Sequence, residues 1–402
     1  MHTTTSLALA VLVLGYALIS QRVERNYLAP ALVFLALGIA LGPFGFHLLD
    51  AGPRTEGYTV LAQLALTMIL FVQAAKIRPD RIREDRVVSL RLLVIGFPLT
   101  LLLGALTAVV VLPVLPWWEA VCLAAIVAPT EVALINALLE DRRIPESLRH
   151  AMSVETGLYD GLALAALLLA LAFASQRTDP SAGHWVWFIL STEVLSLLIG
   201  VAVGGIGGLL VKWSRGRSWM SDTWAQLAMM ALAFICFQLG EWTHASGFVA
   251  AFTGGLAFSF ASRRTAGEEL PTQVPDAAAQ LLELAVFAMF GAFAVVDGWR
   301  NADWRVVLFA VLALFVVRVA AVMLALAGTG LSTPERLFVG WFGPRGIGTV
   351  VLGLLVIDRG QIQNADLIVV VVVVTVTLSL VLHSLTARPG IGWLAASATR
   401  RA

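Results

Sequence analysis

The chain has 402 residues, of which 59% are hydrophobic and only 13% are charged, and its formal net charge at pH 7 is +1. Soluble domains carry roughly 25% charged residues, so this composition excludes an ordinary soluble globular protein. The nearly neutral charge gives no reason to expect a nucleic acid partner. Both cysteines, Cys122 and Cys236, lie in apolar stretches, and we interpret them as core side chains rather than as a disulfide or a metal pair.

Apolar stretches of membrane-spanning length follow one another along nearly the whole chain. They predict an all-α polytopic membrane protein in which residues 1–402 form a single membrane domain. No Lys or Arg precedes the first stretch, Ser6 to Ile19, so we interpret it as a span rather than a signal peptide. Thirteen spans are predicted, with limits near 5–21, 28–46, 59–76, 90–112, 117–139, 149–173, 185–212, 223–240, 247–261, 276–296, 304–327, 335–357 and 366–386.

The distribution of basic residues tests this count of spans. Nineteen of the 27 Lys and Arg residues lie at the C-terminus or in loops after odd-numbered spans, and five lie in the other loops. The remaining three, Arg91, Arg318 and Arg345, lie within spans. Because cytoplasmic loops are enriched in Lys and Arg, the asymmetry predicts an outside N-terminus and a cytoplasmic C-terminus.

Glu131, Glu155 and Asp160 are acidic residues that lie inside the apolar stretches of spans 5 and 6, away from their first turns. Acidic side chains at bilayer depth are energetically expensive, so they usually face a cavity and act on ions or protons. The pattern therefore predicts an ion transporter. On the helix of span 6, Thr156 and Asp160 are four residues apart and share a face, as do Glu155 and Tyr159.

Two spans carry signals for a broken helix. Pro129 in span 5 removes a backbone donor at mid-span. In span 12, Pro344 and several glycines flank Arg345. These spans are each the second of three in the groups 4–6 and 11–13, and interruptions at matching places predict inverted repeats with a midplane ion site. A simple proline kink is the alternative interpretation of Pro129.

Two arginines within spans are candidate partners for the buried acids. Arg318 is central in span 11, and Arg345 lies beside the interruption of span 12. Arginine stays protonated in proteins and binds carboxylates through its planar fork. We expect one of the two to neutralise Glu155 in a structural ion pair, which leaves Asp160 free to titrate.

At these residues the chain resembles the NhaP-like bacterial sodium/proton antiporters of the monovalent cation/proton antiporter superfamily. The resemblance rests on APTEVALINALLEDRRIPESLRHAMSVETGLYDG, on GWFGPRGI and on LSLVLHSLTARP, with weaker echoes in FPLTLLLG and LLELAVFAMFGA. It implies a homodimer of thirteen-helix chains in the bacterial inner membrane and transport of the elevator type. It also implies a core of helices 90–173 and 304–386 and a dimerisation scaffold of helices 5–76 and 185–296.

The chain departs from the family pattern at several site positions. Glu131 stands after Thr130 where the family usually has Asp, and Thr156 stands where it usually has Ser. Tyr159 replaces the usual Asn before Asp160. Span 3 carries Gln73 where the family often has an acid. We expect Gln73 and Tyr159 to line the site.

The resemblance implies that Asp160 binds the cation and the proton in turn. We expect Thr156, Thr130 and Glu131 to complete the site, because oxygen ligands suit a hard cation such as Na⁺ or K⁺. A neutral Tyr159 predicts electroneutral one-for-one exchange of the cation against a proton. No cofactor, metal cofactor or enzymatic reaction is expected. The partners are the two ions, the lipid bilayer and a second copy of the chain.

Three alternatives remain open at this stage. The substituted positions fit a transporter or channel of the same fold with another substrate, and they also fit a relative that senses without transporting. An intramembrane aspartyl hydrolase requires two acids that share a proton. Glu155 and Asp160 are five residues apart with different helical faces, which disfavours that reaction.

Overall fold

The computed structural model describes residues 3–24, 28–49, 56–77, 86–131, 141–175, 182–263, 270–359 and 362–399. Within these ranges every regular element is a helix, and no strand is present. Among the described residues, nine helices are long and apolar enough to cross a membrane, and four shorter apolar helices accompany them. Each of the thirteen predicted spans contains one of these helices, so the predicted fold class is confirmed.

The first half of the described chain contains eight α-helices and one π-helical segment. They are α1 (Thr3–Glu24), α2 (Pro30–Leu41), α3 (Glu56–Lys76), α4 (Arg86–Arg91), π1 (Leu92–Gly96), α5 (Phe97–Val111), α6 (Trp117–Val127), α7 (Glu146–Ser175) and α8 (Ala182–Gly216). Because α4, π1 and α5 follow one another without a gap, span 4 is one continuous helix that contains a π-helical segment.

The second half contains nine α-helices and two further π-helical segments. They are α9 (Asp222–Trp242), α10 (Gly247–Ser262), α11 (Gln273–Phe290), π2 (Gly291–Val295), α12 (Val296–Arg300), α13 (Trp304–Val311), π3 (Leu312–Val317), α14 (Arg318–Ala325), α15 (Thr333–Trp341), α16 (Ile347–Arg359) and α17 (Ala365–Thr399). The run of six valines lies within α17 and is helical, as predicted.

Helix α17 continues past the predicted end of span 13 at residue 386. It runs to Thr399 with Pro389 inside it. Ile391 and Leu394 in the added part are buried and pack in one cluster with Leu148 at the start of α7. This apolar contact explains why the helix does not stop at the proline and extends beyond the predicted limit of span 13.

Helices α8 and α10 pack at very short distance through small residues. A Cβ atom added at Gly200 would lie 2.0 Å from Thr253 Oγ1, and one at Gly204 would lie 2.0 Å from the carbonyl oxygen of Gly254. The glycines at four-residue spacing in α8 therefore serve a contact within the chain. Helix α10 in turn contacts α3, and α11 contacts both α2 and α3.

The loops that determine the predicted orientation are described only in part. Residues 25–27, 78–85 and 264–269 carry several of the basic side chains in that count and lie outside the described residues. The orientation of the termini therefore stays a prediction.

Candidate functional site

Two interrupted segments meet at the centre of the protein. Helix α6 ends at Val127, and residues 128–131 are not helical. Helices α15 and α16 are separated by the non-helical residues 342–346. The second half of predicted span 5, residues 132–139, lies outside the described residues. The interruption predicted at Pro344 is thus present as a break between α15 and α16, and the helix of span 5 ends two residues before Pro129.

Hydrogen bonds join the two breaks in both directions. The Glu131 amide donates to the Pro344 carbonyl at 2.8 Å, and the Ile347 amide donates to Glu131 Oε2 at 3.0 Å. In return, Arg345 Nη1 donates to the Pro129 carbonyl at 3.0 Å. Ile347 is the first residue of α16, so the Glu131 carboxylate satisfies a free amide at a helix N-terminus, where negative charge is favoured.

Glu131 and Arg345 therefore hold the two interrupted segments together through hydrogen bonds. Helix breaks at membrane depth expose backbone groups that lipid cannot satisfy. Here backbone groups at each break form hydrogen bonds with groups of the other break. Both side chains are buried, with 3% and 1% of their surface exposed.

A row of oxygen atoms runs along α7 beside the first break. Thr130 Oγ1 donates to Thr156 Oγ1 at 3.1 Å, and Thr156 Oγ1 donates to the Met152 carbonyl at 2.8 Å. Asp160 is one helical turn beyond Thr156 and is 4% exposed. Within the described part of the chain, no basic side chain pairs with Asp160. Three of the predicted ion-binding residues are thus brought together, with Glu131 adjoining them.

The acid one turn earlier on α7 has a partner. Arg318, the first residue of α14, forms a salt bridge with Glu155, and both side chains are almost fully buried. Of the two arginines proposed from the sequence, Arg318 contacts Glu155, whereas Arg345 contacts the Pro129 carbonyl. The structure therefore does not place Arg345 in the predicted ion pair.

Tyr159 packs beside Arg318 and the residues of span 4, and not against the hydroxyls of Thr130 and Thr156. Its hydroxyl donates to the Leu92 carbonyl in π1 at 2.8 Å. Its ring lies edge-on to Phe97, with ring centroids 5.2 Å apart, and the Arg318 guanidinium carbon is 5.7 Å from its centre. The residue in the usual Asn position thus holds span 6 against span 4 and provides an aromatic wall for Arg318.

Glycines around the second break allow three site residues to approach the backbone. A Cβ at Gly343 would lie 2.6 Å from Arg318 Nε, and one at Gly346 would lie 2.4 Å from Glu131 Cγ. At Gly348 it would lie 3.0 Å from Asp160 Oδ1. The glycine-rich sequence of span 12 is therefore explained by close contact with charged side chains.

Two further polar residues lie on α3 and α11. We expected Gln73 to line the site. Its side-chain Oε1 is buried without a hydrogen-bond partner, and its backbone carbonyl oxygen lies near Gly157 of α7. Glu283 was not predicted as a site residue, although it is an acid within predicted span 10. Its carboxylate is buried within α11.

A cavity of about 750 Å³ lies beside this site. Helices α3, α11 and α12 form one wall, and α16 and α17 form the other. Val350 lines it, two residues after Gly348, and Asp297 and Asp366 add carboxylates. None of the predicted ion-binding residues is part of its lining, so the cavity adjoins the Asp160 site without containing it.

Comparison with known proteins identifies relatives of this fold. A solved structure of the sodium proton antiporter MjNhaP1 from Methanocaldococcus jannaschii superposes with a TM-score of 0.77 at 20% identity, covering 94% of this chain and 97% of that one. A probable Na⁺/H⁺ antiporter of Schizosaccharomyces pombe is 27% identical over 350 residues, which cover 81% of this chain and 45% of the relative. The K⁺/H⁺ antiporter NhaP of Alkalimonas amylolytica is 25% identical over 340 residues, covering 84% and 57%.

The chain spans about half the length of these two curated relatives. A family model described as the transmembrane sodium/hydrogen exchanger matches residues 8–391, nearly the whole sequence. This match agrees with the resemblance seen in the interrupted spans and with the helical fold. The chain is a multi-pass membrane protein that belongs to the sodium/hydrogen exchanger family.

Proposed function

We propose that the chain is a secondary active antiporter that exchanges one Na⁺ or K⁺ for one H⁺, with Asp160 binding the two ions in turn. The observation that carries this proposal is the environment of Asp160. Its carboxylate is buried at the crossing of the two breaks, beside the hydroxyls of Thr130 and Thr156. The nearby acid Glu155 is already neutralised by Arg318.

The physical basis of coupling is the cost of an uncompensated buried charge. An empty, ionised Asp160 is unfavourable in a low-dielectric surrounding, whereas a bound proton or monovalent cation neutralises it. The loaded forms can therefore cross the membrane and the empty form cannot. One carboxylate carries one positive charge in either direction, so exchange is electroneutral.

The cation shell is built from oxygen atoms. Asp160, Thr156 and Thr130 supply a carboxylate and two hydroxyls, and backbone carbonyls at the first break and water complete the shell. The names of the relatives include both Na⁺/H⁺ and K⁺/H⁺ antiporters. We therefore propose Na⁺ or K⁺ as the substrate without choosing between them.

Alternating access proceeds by an elevator movement in this proposal. The moving core comprises the helices within 90–173 and 304–386, with the last helix continuing to Thr399. The scaffold comprises those within 5–76 and 185–296. The cavity supports this division, because one of its walls consists mainly of scaffold helices and the other of core helices.

We further propose a homodimer with the N-terminus outside and the C-terminus in the cytoplasm of a bacterial inner membrane. The asymmetry of basic residues supports the orientation. The dimer is what the family resemblance implies, and one candidate contact is the face of α1 on which Leu7, Val11, Leu14 and Leu18 are exposed, which either lipid or a second copy would cover. Labelling of cysteines introduced at each terminus, and mass measurement of the detergent-purified protein, test these two points.

The decisive experiment is proton flux in proteoliposomes that contain a pH-sensitive dye. Addition of Na⁺ or K⁺ to the native protein is expected to move protons, and Asp160→Asn is expected to abolish this flux although the protein still inserts. Asp222→Asn is the matched control, because Asp222 is an exposed surface partner of Arg215. Its flux is expected to equal that of the native protein.

Other outcomes separate the alternatives. Full exchange in Asp160→Asn contradicts the assignment of the ion-binding residue. A cation current without proton movement identifies a channel, and no flux with either ion in correctly inserted protein identifies a sensor or a different substrate. A rate that changes with an imposed membrane potential contradicts electroneutral exchange.

A further inference from the structure

Helix α17 supplies polar side chains to both ends of the second break. Ser379 and His383 lie one turn apart on this helix, in the segment LSLVLHSLTARP, which the proposed exchange cycle does not use. Both are buried, with 0% and 4% of their surface exposed. Buried polar groups are unfavourable unless they are hydrogen-bonded, so the partners of these two residues show what they contribute.

Ser379 holds the peptide unit between Pro344 and Arg345. The Arg345 amide donates to Ser379 Oγ at 2.7 Å. The carbonyl of the same peptide unit, which belongs to Pro344, accepts the Glu131 amide at 2.8 Å. Because a peptide unit is planar, holding its N–H group also sets the direction of its C=O group. Ser379 therefore orients the carbonyl to which the first break is hydrogen-bonded.

His383 holds the other end of the same break. Its Nε2 atom lies 2.8 Å from the carbonyl oxygen of Trp341, the last residue of α15. Its Nδ1 atom lies 3.1 Å from Ser379 Oγ and 2.8 Å from the Ser379 carbonyl oxygen. The Trp341 carbonyl can only accept, so we assign a proton to Nε2. Nδ1 then accepts the Ser379 hydroxyl proton, and this leaves Ser379 Oγ free to accept the Arg345 amide.

Aromatic packing fixes the imidazole in this position. The ring centroids of Phe315, Trp341 and Phe342 lie 6.1, 6.5 and 6.3 Å from that of His383. The Trp341 indole also donates to Thr386 Oγ1 on α17 at 3.0 Å. Helix α17 therefore holds the start of the break by hydrogen bonds and by packing.

The second break contacts the proposed cation shell on both sides of Thr130. The Arg345 guanidinium donates to the Pro129 carbonyl at 3.0 Å, and the Pro344 carbonyl accepts the amide that follows Thr130. Thr130 Oγ1 in turn donates to Thr156 Oγ1 at 3.1 Å. A shift of the peptide unit that Ser379 holds would therefore move a hydroxyl and the neighbouring carbonyls of the shell.

We propose that Ser379, supported by His383, is a positioning residue for cation binding, which holds the second break in the form that places the oxygen ligands of the first. This inference rests on the proposed function. Both residues act through the break, and neither is a ligand of the ion. The cation requires several oxygen atoms at fixed positions, whereas a proton requires only the Asp160 carboxylate. Loss of positioning therefore weakens cation binding and leaves proton binding unchanged.

The experiment measures the cation KM and the maximal rate of exchange in proteoliposomes from pH 6 to pH 9. In Ser379→Ala the Arg345 amide loses its acceptor, and we expect KM to rise about fivefold or more, with a maximal rate within about twofold of the native value. The factor is expected to be the same at every pH, because a competing proton multiplies the native and variant KM alike. If Ser379→Ala does not insert, Ser379→Cys carries the same prediction, since sulfur is a weak acceptor.

Three further variants complete the test. Ser379→Thr keeps the hydroxyl and is expected to stay within about twofold of the native KM. His383→Gln retains a donor near the position of Nε2, so its KM is expected to rise less than that of His383→Ala. Ser384→Ala is the matched control, because the buried Ser384 hydroxyl on the same helix has no hydrogen-bond partner. Its KM is expected to equal that of the native protein.

Several results would overturn the inference. A native KM in Ser379→Ala shows that the hydrogen bond has no influence on the ion, and a lower maximal rate with native KM shows a loss of folded protein or slower movement. A rise confined to alkaline pH shows that proton binding is weakened as well. A KM in Ser379→Thr as high as that in Ser379→Ala assigns the effect to packing. Failure of the proposed function is seen separately, as exchange that survives in Asp160→Asn.

Discussion

Replacing Arg318 by Met tests whether the ion pair with Glu155 is structural. The two side chains are 1% and 2% exposed, so the remaining Glu155 charge would be left without water or a partner. Breaking a buried pair in this way costs about 3–5 kcal/mol. The lost contact between the guanidinium and the Tyr159 ring adds to this cost, whereas Met retains much of the packing.

The assay is thermal unfolding of purified variants in detergent, with free energies taken from the calorimetric enthalpy. Glu155→Gln alone leaves the arginine unpaired and is expected to destabilise by a similar amount. The double variant removes both charges, and its stability is expected to lie within about 1 kcal/mol of the native protein, because apolar replacement of a buried pair is often neutral. Exchange activity is expected to return with stability in the double variant.

A matched control uses an exposed pair. Arg300 and Asp297 are separated by 3.9 Å and are 64% and 60% exposed. Arg300→Met is expected to change stability by less than about 0.5 kcal/mol. The reasoning is refuted if the double variant is as unstable as the sum of the single variants. It is also refuted if Arg318→Met is stable but loses exchange, since Arg318 would then act on the ion.

Two other substitutions probe the walls of the site. Tyr159→Phe removes the hydrogen bond to the Leu92 carbonyl and is expected to lower stability by about 0.5–1.5 kcal/mol, with exchange still electroneutral in a voltage-clamped vesicle assay. Gly346→Ala places a Cβ 2.4 Å from Glu131 Cγ and is expected to destabilise by about 1–3 kcal/mol in thermal unfolding. Gly205→Ala, which meets no atom within 4 Å, is expected to match or exceed native stability.

The sequence was sufficient for the thirteen spans and for the two breaks, because both depend on local signals. A long apolar stretch must be helical in lipid, and a proline within it, with glycines nearby in span 12, interrupts the helix. The long helix α17 was misjudged at its end, because its continuation past Pro389 depends on packing of Ile391 and Leu394 against α7. That contact is between segments far apart in sequence.

The sequence could not choose the partner of Glu155, because both Arg318 and Arg345 lie within apolar spans. Arg318 follows directly after π3, and a π-helical turn, which rotates the following residues relative to a regular α-helix, is not visible in the sequence. The partner of Tyr159 depends similarly on π1. Glu283 was a different case. An acid inside an apolar span was visible, and the argument applied to Asp160 would have found it.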